Sequence, residues 1–308
     1  MDASVFILSC PSLTNAQGGA PNRRQALEQW LALCDQITRA GGTILLLDPP
    51  SMFLTASATG DDWVQTSRLG SVFVGARADG SVGAMFLRAR REHEASGPAW
   101  ESLGRQLASM GLSVRDATQV WGGQADLLGL PRNRFLVSHG ARSVDVSCDE
   151  VTACLPMAAH VLRVPVAADS GLAAFAYLQT VGGSRLLLVD SRALQVVTVA
   201  QIAAFAGDRV QVLSLGAEDA AAGATQLLCV HGTALVPPGI STTLRGHLWR
   251  LGFQVVEVDL RGLSAPSVAV GPRAFVVAWP QCVLDDAVPT YSVRRGELFQ
   301  RLSQLSEA

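Results

Sequence analysis

Lysine is missing from this sequence. All 24 basic residues of the 308-residue chain are arginine, so no ε-amino group is available for a Schiff base or for general-base work. Charge of either sign is scarce. Charged residues make up 16%, the formal net charge is −2, and neither sign forms a long run. That excludes bulk binding to nucleic acid or to an anionic membrane surface. No stretch approaches the roughly 18 uninterrupted apolar residues that a spanning helix needs, so no membrane partner is expected. The opening "MDASVFILSCPS" has neither a basic leader nor a long enough apolar run for a signal peptide, so a cytoplasmic location is expected.

The six cysteines (Cys10, Cys34, Cys148, Cys154, Cys229 and Cys282) form no CxxC pair and no Cys/His cluster at zinc spacing. Cys34 in "WLALCDQI" and Cys229 in "QLLCVHG" sit in apolar stretches and read as small buried hydrophobes in a reducing compartment. A glycine-rich phosphate loop after the first strand is also lacking, which argues against a dinucleotide-binding sheet. No metal and no cofactor is expected.

Apolar residues are plentiful, at 49%, enough for a sizeable core. "SVFILSC" reads as a buried strand, "RRQALEQWLALCDQITRAGG" as a helix ended by Gly41-Gly42, and "TILLLD" as a strand. "SVFVGAR" and "VGAMFLR" form a hairpin around "ADGS", followed by the helix "AWESLGRQLASMG" and the strand "LSVRD". The order recurs. "NRFLVSHG" is a strand, "SCDEVTACLPMAAHVL" a helix and "RVPVA" a strand; "SRLLLVD", "TVAQIAAFAG" and "RVQVLSL" repeat it; so do the hairpin "TQLLCVHGTALVPP", the helix "ISTTLRGHLWRLG" and the strand "FQVVEVDL". A hairpin–helix–strand unit of roughly sixty residues, without strict identity, suggests pseudo-symmetric modules, small mixed sheets each covered by one helix around an axis, with a doubly wound parallel sheet as the runner-up. The C-terminal "YSVRRGELFQRLSQLS" is expected as a helix packed on the outside through Val293, Leu298, Leu302 and Leu305.

Several stretches, in order, resemble the guanidino-modifying penteins: dimethylarginine dimethylaminohydrolases, arginine deiminases and amidinotransferases. They are "ILSCPS", "WVQTSRLGSVFV", "RARREHEASGPAWESL", "WGGQADLL", "SHGARS" and "ALVPPGISTTLRGHLWRLGFQVVEVDL". The resemblance runs to about residue 275. It implies an α/β fold, a five-bladed ββαβ propeller, as a single domain over 1–308 with a C-terminal extension from about 280. It also implies a site needing a cysteine nucleophile, a histidine for proton transfer, and carboxylates that grip a guanidinium.

Against that pattern the chain departs. The nucleophile loop is "RGLSAPSVAV", and the cysteine's position falls at or next to Val270. Ser264 and Ser267 there read as turn residues around Pro266. The histidine segment matches "ADSGLAAFAYL", where Ser170 falls nearest and reads as the N-cap of a helix. None of His93, His139, His160, His231 and His247 matches. The family's glutamate falls on Gly122, its aspartate on Asp126, and an Asn or Asp position on Arg68. The arginines are retained. Arg142 matches the arginine that holds the substrate carboxylate, and Arg90 or Arg91 another. With Arg68 they are read as a pocket for a small acidic ligand; local pairing with Asp or Glu is the alternative.

Three functions stand open. The first is a pseudoenzyme or binding protein with an arginine-lined pocket, either a homo-oligomer or a partner to an active enzyme. The second is an enzyme of altered chemistry on a carboxylate-bearing molecule, using Asp126, His139 or Ser267. The third is a guanidino hydrolase or amidinotransferase whose nucleophile is Cys282.

Overall fold

The computed structural model describes residues 5–10, 20–48, 66–76, 82–90, 98–167, 173–263, 271–280 and 290–304. Among them lie five three-stranded sheets. Four share one chain order, each with a helix between its second and third strands. In the first of these, β3 (Gly70–Ala76) pairs antiparallel with β4 (Val82–Arg88), a helix follows (Pro98–Ser109), and β5 (Ser113–Asp116) returns parallel to β4. The next blades are β6 (Leu127–Leu130), β7 (Arg134–His139) and β8 (His160–Pro165), then β9 (Phe175–Gln179), β10 (Arg185–Val189) and β11 (Gln211–Ser214). The last is β12 (Leu228–Val230), β13 (Thr233–Val236) and β14 (Gln254–Glu257).

The remaining blade uses both regions of the chain's span. β1 (Val5–Ser9) pairs parallel with β2 (Thr43–Leu47) across the helix Ala20–Arg39, and β15 (Val277–Trp279) pairs antiparallel with β1. These are the five ββαβ units that the resemblance implies.

The middle strand of each blade is apolar on both faces because each face feeds a different core. Val5 and Ile7 pack with Leu69, Phe86 and Leu103, whereas Phe6 and Leu8 pack with Trp30, Val230 and Leu235. Leu186 and Leu188 join one cluster, Leu187 and Val189 another. Five clusters of described residues thus sit between neighbouring blades, each covered by helix, and the one around Trp30 by both the helix Ala20–Arg39 and the C-terminal helix. Strands buried on both sides read as continuous hydrophobic runs, without alternation.

Three local expectations are corrected. The helix over "SCDEVTACLPMAAHVL" stops at Cys154, before Pro156, and His160–Pro165 is strand; proline cannot continue the helix and its predecessor disfavours helical backbone. "GLAAFAYL" does not run on as a helix: Phe175–Gln179 is β9, paired to β10 around a turn containing Gly182-Gly183. Ser170 lies outside the described residues. The C-terminal helix (Tyr291–Gln304) packs on the helix Ala20–Arg39 and on β2 as expected. Its buried face, however, carries Tyr291 and Leu298, and Val293 is 77% exposed. Tyr291 Oη donates to Asp35 Oδ1 at 2.8 Å, which sets the helix's rotation.

Candidate functional site

The entry to the third blade is a tight 3-10 turn, Gly123–Asp126. Gly123 has φ +76°, and a Cβ there would lie 2.5 Å from the carbonyl oxygen of Ser67. Only glycine lets this turn pack on the turn Thr66–Arg68. A Cβ on Gly122 would lie 2.3 Å from Asp126 Oδ2 and 2.8 Å from Arg142 Cβ. The space where the family's glutamate would project is therefore already filled.

What fills it is a buried network. The Asp126 side chain is 1% exposed. It accepts from Arg142 Nη2 at 2.6 Å, from Ser143 Oγ at 2.7 Å and from Ser138 Oγ at 3.2 Å. Ser143 Oγ also accepts from the Gly122 amide at 2.9 Å. Arg142 and Ser143 reach Asp126 because "SHGARS" turns sharply after β7. Gly140, at φ +105°, is closed by a hydrogen bond from its amide to Ser143 O at 2.8 Å. With three side-chain donors on one carboxylate, Asp126 is held as an acceptor and ion-pair partner.

Arg273 completes the cluster. It sits on the turn Pro272–Phe275, just beyond the nucleophile loop of the resemblance. Its Nη1 donates to the carbonyl of Phe175 and its Nη2 to that of Leu127 at 3.3 Å. One guanidinium thus bridges the starts of β9 and β6. Burial pulls its pKa down to about 10, the Arg142 charge adds to that, and Asp126 opposes it. Among the described residues Arg273 has no carboxylate within ion-pairing distance. Among the described residues, then, one carboxylate, Asp126, faces the two guanidiniums of Arg142 and Arg273.

A cavity of about 200 Å³ opens beside Arg273, lined by residues of all five blades, among them Phe6 and Ala278, Val72, Leu127, Tyr177 and Leu228.

The other expected residues fall as follows. Arg68 ends the turn packed on Gly123, with its side chain half-buried. Arg90 is exposed and its Nη1 donates to Thr118 O at 2.6 Å. Arg91, Ser264, Ser267, Val270, His93 and Cys282 lie outside the described residues. His139 Nε2 is 3.5 Å from Asp145 Oδ1, and together with Cys148 these groups lie within 4.8 Å of one another, a set that could hold a metal ion. Burial pushes the Cys148 thiol up to about 11, the wrong direction for a nucleophile. Cys10, Cys34 and Cys148 are buried, and Cys154 and Cys229 half-buried. No described helix is long and apolar enough to cross a membrane. Arg273 was missed by sequence reasoning because it lies in the short stretch between the loop and β15, where no periodic pattern flags a site.

No protein-family model matches this sequence, and no curated protein matches it. Solved structures do. One is the N-terminal domain of ArgZ, an arginine dihydrolase from the ornithine–ammonia cycle in cyanobacteria, as a cysteine-to-serine mutant bound to substrate. It matches with a TM-score of 0.69 at 17% identity, over 89% of this chain and 97% of that one. Unliganded AgrE matches with a TM-score of 0.70 at 18% identity, over 92% of this chain and 40% of that one. The present chain therefore spans about two fifths of AgrE. DDAH from Pseudomonas aeruginosa, a cysteine-to-serine mutant complexed with citrulline, matches with a TM-score of 0.62 at 17% identity, over 91% and 100%. Five three-stranded blades about one axis, matched along their length by arginine dihydrolase and DDAH structures, give this chain the pentein fold.

Proposed function

We propose that this chain is a pentein without guanidino chemistry, a binding protein that holds a small acidic ligand at Arg273 of its channel. The observation carrying this reading is the charge at Arg273. A half-buried guanidinium whose described partners are two carbonyls, with a second guanidinium nearby, is costly unless an anion offsets it. Arginine's planar fork suits carboxylate or phosphate. A cationic guanidinium substrate is disfavoured by the same charge, and the position of the family's glutamate is packed shut at Gly122. Asp126 is bound by three donors and has little capacity left for proton transfer.

The enzymatic alternative keeps one specific observation, the His139–Asp145–Cys148 cluster. It is set against by the raised pKa of Cys148 and by the position of the cluster beyond the residues lining the channel.

The test has two arms on the full chain. Incubation with L-arginine or Nω-methylated arginine is expected to give no citrulline; its formation would overturn the reading. In thermal shift, citrate, succinate, benzoate and phosphate are screened on wild type and on Arg273→Gln. Stabilisation by at least one anion is expected, and it should be absent from the variant. No response from any anion would reject the binding function.

A further inference from the structure

The cavity beside Arg273 says more about the ligand than its charge. Of the described residues lining it, Arg273 is the one charged side chain; the rest of that wall is mainly apolar, with Phe6, Val72, Leu127, Phe135, Leu228 and Val276 among its members. The polar groups in the wall are largely engaged with the protein. Gln179 Oε1 accepts from Tyr177 Oη at 2.9 Å and from Arg185 Nε at 3.4 Å, and Gln124 Oε1 accepts from the Ala278 amide at 2.9 Å. Among the described lining residues, a second carboxylate on the ligand would find no further cation, Arg185 lying behind Gln179, and an ammonium or guanidinium would find no carboxylate. Burying either without a partner carries a desolvation penalty large enough to exclude it.

We infer that the channel takes a monocarboxylate with an apolar body, its head on the fork of Arg273 and its body in the cavity. This rests on the anion-binding reading above. Size agrees: an apolar cavity of about 150 Å³ holds a benzene ring, so about 200 Å³ accepts a ring or a short alkyl chain carrying a carboxylate. Area burial sets the selectivity. Each methylene moved from water into such a wall is worth about 0.8 kcal/mol, or about fourfold in affinity.

The experiment is calorimetry on the full chain at fixed ionic strength, with butanoate, hexanoate and benzoate against succinate and glutarate. Affinity is expected to rise about fourfold per methylene from butanoate to hexanoate, and hexanoate and benzoate should exceed succinate by at least tenfold. A cavity-filling variant, Gly129→Leu, tests the location. Gly129 lines the cavity, and a Cβ there meets Phe135 at 3.5 Å, an ordinary contact. This variant should lose hexanoate and benzoate while keeping butanoate. A third readout needs no variant. Cys229 lines the same cavity, so its alkylation, followed by peptide mass spectrometry, should slow with hexanoate and not with succinate. Succinate or glutarate binding as tightly as hexanoate would overturn the apolar body and leave the anion reading standing. Hexanoate binding that neither protects Cys229 nor responds to Gly129→Leu would place the site elsewhere and reject this proposal. No binding by any of the five would reject both.

Discussion

Asp126–Arg142 and Asp190–Arg192 join the same two side chains in different surroundings. In the first, the side chains are 1% and 17% exposed and the carboxylate is shared with two serines. In the second, they are 18% and 50% exposed, and the arginine folds back on an aspartate two positions earlier, its own amide also donating to that carboxylate at 3.1 Å. Asp259 and Arg261 repeat the second arrangement, with the same 3.1 Å amide contact, after another strand. Similar bond lengths therefore do not mean similar importance. The surface pairs are strand-exit turns that water could solvate nearly as well. The buried pair is a structural commitment, because removing either partner strands a charge.

The largest effect should follow Arg142→Ala. Leaving Asp126 buried and unpaired is expected to cost about 3–5 kcal/mol in urea unfolding, enough to threaten folding altogether. A loss under about 1 kcal/mol would collapse the distinction between the two sites. Next comes Gly122→Glu, which restores the family's acidic residue. With a Cβ 2.3 Å from Asp126 Oδ2, overpacking should cost about 1–3 kcal/mol, and arginine hydrolysis should not appear. An unchanged melting temperature would mean that the network opens easily.

Smaller still is Glu150→Gln, midway between the extremes. Burial alone would raise the Glu150 pKa, but donors from the Thr118 hydroxyl and amide, the Gln119 amide and Arg115 outweigh it, and the net shift is downward from the ordinary 4.5. A lowered carboxylate pKa contributes stability above the unfolded value, and that contribution fades as pH falls through the folded one. The variant should therefore lose about 1 kcal/mol at pH 7, and the gap to wild type should narrow as pH drops below 4.5. A gap that widened in acid would reverse the assignment. Arg192→Ala should be smallest, within about 1 kcal/mol by the same unfolding measurement. A larger loss would show that the strand-exit turn does more than decorate the surface.

The blades were legible because their middle strands are long apolar runs and their helices carry one-sided stripes: Leu27, Trp30, Leu31, Cys34 and Ile37 all reach one core. The inner strands were harder. β9 reads as a helix in "GLAAFAYL" because Phe175, Ala176 and Leu178 are all buried, which erases the alternation of a strand. Asp126 and Arg142 were found by motif, but their mutual pairing depends on how two turns sixteen residues apart meet. Arg273 was beyond reach. Its environment is made by the carbonyls of Phe175 and Leu127, far away in sequence, and local pattern carries nothing about such contacts.

The first blade also sets an order of assembly. Ile7 of β1 pairs with Val277 of β15, roughly 270 residues later. At ribosomal speeds of about 5–20 residues per second, β1 waits about 15–50 s for its antiparallel neighbour. During that interval an almost wholly apolar strand, "VFILS", presents an open edge, the kind that recruits other chains. The seam that closes the ring last is thus the place where a nascent chain is most exposed to aggregation, and where a chaperone would have most to shield.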